Sequence, residues 1–212
     1  MDAGVVPGSE VAVWDTEVGR IGALVCWDAR YPEVGVRLGE AAADVVLFPT
    51  QGTTDVRLQT WARYYGFHVV STHKHTTETF SPTGGVLGGT TVNLQKVPIV
   101  QTESGGGRFS LVEVNTDCAV YSAVVHADRW DEVQREYGDA LAFHGTRNDG
   151  AMCVESIDES VSIADIEDEF DLERMPAYEA RTRQRVHEEN PDSPLFRSAE
   201  RSTTTKTTEM GR

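Results

Sequence analysis

The sequence predicts an α/β fold, and three observations carry that reading. Ile21-Gly-Ala-Leu-Val25 is a continuous apolar run, the pattern of a strand covered on both faces. Pro32 then suits a first helical turn, and Val34, Val36, Leu38 and Ala41 to Ala43 supply an apolar, helix-compatible stretch. Asp44-Val-Val-Leu-Phe48 is a second buried strand, stopped by Pro49. Strand, helix and strand within residues 21–48 make a compact crossover unit.

The other elements extend this unit in both directions. Val11 to Trp14 reads as a short strand, and Asp15 to Arg20 as a turn with Gly19 near its end. Gln59 to Phe67 reads as the end of a helix with Gly66 as its C-cap, and His68 to Thr72 as the strand that follows. Residues 83–91 are glycine-rich but lack the spacing of a phosphate-binding loop, and no helix follows, so they are read as turn chemistry. Thr91 to Thr102 and Phe109 to Val114 read as two strands joined by a hairpin-like ESGGGR. Beyond Val114 the periodicity weakens. Residues 126–150 show no clear period, and 157–170 are strongly acidic. Residues 172–189 read as helical with an interruption at Pro176, and the chain from Asn190 onward as a disordered tail.

Composition narrows the function classes. The 34 Asp and Glu against 19 Lys and Arg give a formal charge of -15, which repels nucleic acid and anionic membranes. The only lysines are Lys74, Lys96 and Lys206, and such an acidic, lysine-poor surface suits a salt-rich cytoplasm. Mean hydropathy is -0.36, and no apolar run approaches the roughly 18 residues of a membrane span. The opening MDAGVVPGSE lacks the basic and apolar regions of a signal peptide. Cys26, Cys118 and Cys153 are an odd set with no CxxC, and no His stands at zinc-ligand spacing. The reading is a cytoplasmic protein without a disulfide framework or a metal.

Cys26 is the residue placed for chemistry. A thiol at the end of a buried strand, just before a helix, is exposed at the carboxyl edge of the sheet. Helix-terminal N–H groups there favour a thiolate and can donate to a developing oxyanion. Position alone leaves a second reading open, because a cysteine in an apolar segment also serves as a small packing residue.

The surrounding residues add weight. Gly19-Arg-Ile-Gly22, then Cys26-Trp27-Asp28, then Tyr31-Pro32-Glu33, resembles the nucleophile block of the nitrilase superfamily of carbon-nitrogen hydrolases. GEAAADVVLFPT, QTWARYYGFHVV and TTVNLQKVPIVQTESGGGRFSLVEVNTD resemble later family segments in order, and Val6-Pro7-Gly8 resembles the turn before the block. The resemblance covers residues 5 to 117. It implies a four-layer α-β-β-α sandwich, incomplete at the N-terminus, that hydrolyses a non-peptide carbon–nitrogen bond. Cys26 would be the nucleophile and the backbone N–H of Trp27 an oxyanion donor. No metal or organic cofactor is implied, and the substrate would be a small amide, nitrile or carbamoyl compound. Asp28, Arg30 and Glu33 are read as structural groups that fix the elbow through ion pairs. On this reading residues 1–125 are a partial hydrolase domain, 126–189 an acidic, partly helical extension, and 190–212 a tail.

The chain departs from the family in one respect that matters chemically. The Glu base and the Lys that accompany the thiol in the family lie upstream of the matched block, and the residues before Cys26 contain no Lys. The expectation is a fragment of a longer enzyme, or a chain that works as a homo-oligomer or with a complementing N-terminal half. The alternative is an inactive family member that acts as a scaffold or interaction subunit. A second alignment reads Ser160 to Ile166 as the final strand. His73-Lys74-His75 is read as a solvated loop, Cys118 and Cys153 as packing residues, and Trp61, Tyr64 and Tyr65 as helix core.

Overall fold

A computed structural model describes residues 8–52, 55–73, 77–89, 99–101, 108–145 and 150–192. Its first compact unit is Met1–Ala177 and its second Tyr178–Arg212. The α/β class read from the sequence is the one observed, with helices alternating with strands of a mixed sheet.

Six strands form the large sheet in chain order: β1 (Ala12–Thr16), β2 (Gly19–Ala23), β3 (Val45–Pro49), β4 (His68–Thr72), β5 (Thr77–Phe80) and β6 (Val86–Gly89). β2, β3 and β4 run parallel, because each is joined to the next through a helix, while the flanking pairs are antiparallel. The expected turn at Asp15 to Arg20 is tighter than predicted. Asp15 pairs with Arg20 and Thr16 with Gly19, so only Glu17 and Val18 turn the chain, and Gly19 takes the positive φ of 112° that closes it.

α1 (Pro32–Glu40) and α2 (Asp55–Tyr65) supply the crossovers. α1 opens with Pro32 in its first turn, as the sequence predicts. α2 ends where Gly66 takes φ 79°. The two helices pack through small-to-large contacts. A Cβ on Gly35 would stand 2.6 Å from the Trp61 ring, and one on Gly39 would stand 2.9 Å from Tyr65. The core under them holds Leu38, Val46, Phe48, Leu58, Phe67 and Val69, all fully buried. Trp61 is core as expected, whereas Tyr64 faces solvent.

The pleat sorts this sheet into two faces. Val13, Gly22, Val46 and Val69 share the face under the helices, as their register requires. Trp14, Ile21 and Val45 point to the opposite face, as do Ala23 and Leu47. There Trp14 is 55% exposed and Leu47 43% exposed.

The glycine-rich stretch is only partly a turn. Gly84 takes φ 90° in a Ser81–Gly85 turn, but Val86 to Gly89 then pair with β5 across a register shift at Thr79 and Phe80. Of the two strands expected at 91–102 and 109–114, the described parts are β7 (Ile99–Gln101) and β8 (Arg108–Ser110), antiparallel to each other. Residues 91–98 lie outside the described residues, and Leu111 to Val114 are not strand.

The region after Val114, where the sequence shows no clear period, holds a second sheet. β9 (Cys118–Ser122), β10 (Leu141–His144) and β11 (Ala151–Ser156) form a second antiparallel sheet in the order β10-β11-β9, so strands from both sides of residue 125 share one sheet. α3 (Trp130–Tyr137) and α4 (Ile163–Phe170) accompany it, with Trp130, Val133, Ile163 and Ile166 in its core. The reading of Ser160 to Ile166 as a strand fails for a local reason. Ser162 Oγ accepts the N–H of Asp165 at 3.1 Å, a cap that starts a helix at Ile163. Pro176 does not interrupt the last helix, since α5 begins at Met175 and the proline sits in the first turn, where no donor is needed. Residues 193–212, including most of the predicted tail, lie outside the described residues.

The Gly35–Trp61 contact yields a stability prediction. Gly35→Ala places a methyl inside the Trp61 ring contact and is expected to cost about 1–3 kcal/mol by overpacking. A thermal denaturation midpoint equal to wild type would show that the two helices can part without cost.

Candidate active site at the Cys26 elbow

Pairing of β2 with β3 continues one step past the end of β2, where the N–H of Leu24 donates to the carbonyl of Leu47 at 3.1 Å. The two chains then diverge, β2 into a 3₁₀ turn spanning Cys26–Arg30 and β3 into a loop at Thr50 to Gly52. This divergence at the carboxyl ends of parallel strands is where α/β sheets open a crevice. The loop is anchored at its start by the N–H of Thr50, which donates to the carbonyl of Thr72 at 2.8 Å.

Cys26 begins the 3₁₀ turn with φ 46°, a left-handed conformation that costs a residue with a side chain of order 1–3 kcal/mol. The surrounding bonds hold it there. Asp28 Oδ2 accepts the N–H of Val25 at 2.8 Å, and the N–H of Asp28 donates to the Val25 carbonyl at 3.0 Å. Asp28 thus fixes the elbow through a backbone hydrogen bond rather than the ion pair expected of it. The Arg30 guanidinium lies 4.8 Å above the Trp27 ring, a cation–π contact that spans the turn. From α2, Arg57 Nη1 donates to the carbonyls of Ala29 at 2.6 Å and Arg30 at 2.8 Å.

The partly exposed Cys26 thiol is held below the ordinary thiol range by hydrogen-bond donors that favour the thiolate. The N–H of Gln51 contributes most and the Thr50 hydroxyl next. Desolvation opposes them, and the N–H groups of Gly52 and Trp27 contribute last. The Thr50 hydroxyl also donates to the Gly52 carbonyl at 2.6 Å and accepts from the Gly52 N–H at 3.2 Å. One hydroxyl proton serves one acceptor at a time, so ionisation of the thiol would turn it from the carbonyl to the sulfur. Sequence reasoning named the Trp27 N–H and missed the 50–52 loop. No motif marks that loop, since Thr50, Gln51 and Gly52 act through backbone groups and one common hydroxyl.

Among the described residues, the groups that act on the thiol are neutral donors, with no carboxylate, imidazole or ammonium. Among the described residues, no three His, Cys, Asp or Glu side chains stand where they could hold a metal ion. Cys118 and Cys153 lie elsewhere, buried on neighbouring strands β9 and β11. The Cys153 thiol is pushed far up by its contact with the Cys118 thiol and by burial, which makes it a poor nucleophile. His73 is half-buried after β4, and Lys74 and His75 lie outside the described residues.

Residues 4–69 match the family model described as carbon-nitrogen hydrolase, the same stretch in which the sequence resembles that family around Cys26. Solved structures similar to this chain include a variant of the amidase from Nesterenkonia sp. AN1 carrying a Michael adduct of acrylamide at its active-site cysteine. It is 19% identical, with 62% of this chain and 51% of that chain covered at a TM-score of 0.41. A second variant of the same amidase, in complex with butyramide, is 19% identical, with 62% and 49% covered and a TM-score of 0.39. This chain therefore spans about half the length of the structures it matches. No curated protein matches it significantly.

The loop contacts give a direct expectation. In pH-dependent iodoacetamide labelling, Cys26 is expected to react with a midpoint below that of a free thiol, and Thr50→Val to move that midpoint upward. Cys118 and Cys153 are expected to stay unlabelled until the protein is denatured. A midpoint unmoved by Thr50→Val would remove the hydroxyl from the site.

Proposed function

We propose that Cys26 is the nucleophile of a hydrolase acting on a small amide, nitrile or carbamoyl compound. What carries this reading is a thiol of lowered pKa at the carboxyl end of a parallel strand pair, inside the segment that matches carbon-nitrogen hydrolases. For an amide, the sulfur adds to the carbonyl carbon and the developing oxyanion is met by backbone N–H groups, that of Trp27 among them. The C–N bond then breaks, the nitrogen leaves as ammonia carrying the proton that came off the thiol, and an acyl thioester remains on Cys26. Water hydrolyses that thioester to a carboxylic acid and restores the thiol. No cofactor enters these steps.

The neutral donors at Cys26 can stabilise a thiolate, but none can take up and return a proton near neutral pH. The reading is therefore of an assembled enzyme, in which a base carboxylate and a cation reach Cys26 from outside the described residues. They would come from a complementing N-terminal segment or from a second copy of the chain. The exposed side of β1 to β3, with Trp14 and Leu47, adjoins the Cys26 edge and is the natural surface for that segment. The acidic, lysine-poor composition fits work in a salt-rich cytoplasm.

The test is acyl-enzyme trapping with fluoroacetamide or propionamide, read by intact mass and peptide mapping, together with ammonia release. Expected is an adduct on Cys26 and none in Cys26→Ala, with turnover slow in the isolated chain and raised at concentrations that favour assembly. Ammonia release that survives in Cys26→Ala would sink the reading.

A further inference from the structure

The 3₁₀ turn that carries Cys26 ends in an unusual way. In such a turn the carbonyl of Ala29 would accept the N–H three residues on, but that residue is Pro32, which has none. A group from a distant element fills the place. Arg57 Nη1, on α2, lies 2.6 Å from the Ala29 carbonyl and 2.8 Å from that of Arg30, and Ala29 itself is fully buried. One nitrogen thus bridges two consecutive carbonyls at the exit of the turn, while Asp28 holds its start at Val25. The positive charge also suits the negative end of the turn's peptide dipoles.

We infer that Arg57 is a positioning residue for Cys26, locking the elbow from its exit so that the thiol stays against the N–H groups of the 50–52 loop. It touches neither the thiol nor a substrate, and acts through the backbone between Ala29 and Cys26. Asp28 alone leaves the turn free to relax toward Pro32. In that relaxation Cys26 leaves φ 46° and swings its sulfur off the loop. Arg57 belongs to α2, which packs on α1 and β4, so the nucleophile is tied to the helix layer rather than to its own strand alone. The role rests on the reading of Cys26 as the nucleophile, yet its test does not require turnover.

The experiment is the pH profile of Cys26 alkylation in the full chain, mapped by mass, for wild type, Arg57→Lys and Arg57→Gln. A surface variant, Arg185→Gln, serves as control, and thermal midpoints are measured alongside. Arg57→Gln is expected to raise the labelling midpoint by roughly one pH unit, toward the free-thiol value. Arg57→Lys keeps the charge and a single donating nitrogen, but its shorter side chain ends short of the Nη1 position, and it is expected to fall between. A folded Arg57→Gln chain with the wild-type midpoint would overturn the inference even if its thermal midpoint drops, because that pattern is purely structural. Should Arg57→Gln fail to fold, Arg57→Lys decides in the same way, an unshifted midpoint counting against the role. A graded shift without ammonia release in any variant would keep the role of Arg57 and reject hydrolysis by this chain on its own.

Discussion

The parallel pairing of β2 with β3 is the constraint on which the site depends. It persists to the Leu24–Leu47 hydrogen bond and then ends, so two chain segments that were side by side must part at one edge of the sheet. One becomes the 3₁₀ turn of Cys26 and the other the Thr50–Gly52 loop. β2 ends there while β3 runs on beside β4 to Pro49 before its loop, and a thiol and a row of N–H groups are left facing each other. The strain at Cys26 is sustained by Asp28 at one end of the turn and Arg57 at the other, both acting on backbone atoms.

The parallel order in turn depends on how closely the crossover helices can lie. Gly35 and Gly39 present bare backbone to Trp61 and Tyr65, so α1 and α2 seat over Val46, Phe48 and Val69 without a gap. Larger residues there would lift α2 and with it Arg57. Packing in the helix layer and geometry at the thiol are therefore one problem, separated by a single guanidinium. Among the described residues, the opposite face of β1 to β3 carries no comparable cover over Trp14 and Leu47.

The second sheet is held by different means. Tyr121 on β9 donates to Glu167 Oε1 at 2.7 Å, and Arg174 grips the same carboxylate through both oxygens at 2.7 and 3.0 Å. Burial and the Glu167 charge push the Tyr121 hydroxyl well above its ordinary range, so it stays a donor. This network fixes α4 on the sheet. Nothing in it converges on Cys26.

Some of this was legible in the order of residues. The apolar runs at 21–25, 44–48 and 68–72, with Pro32 and Gly66 between them, determine strand, helix and strand, because local period and backbone-special residues act over a few positions. They also place Cys26 at the end of a strand. The short runs Cys118–Ser122 and Ala151–Ser156 became strands only by pairing across some 30 residues, a distance over which a sequence pattern carries no register. The loop donors and Arg57 lay further beyond reach. They work through backbone N–H and carbonyl groups, which every residue has, so only the folded chain decides which of them meet the thiol and the turn that carries it.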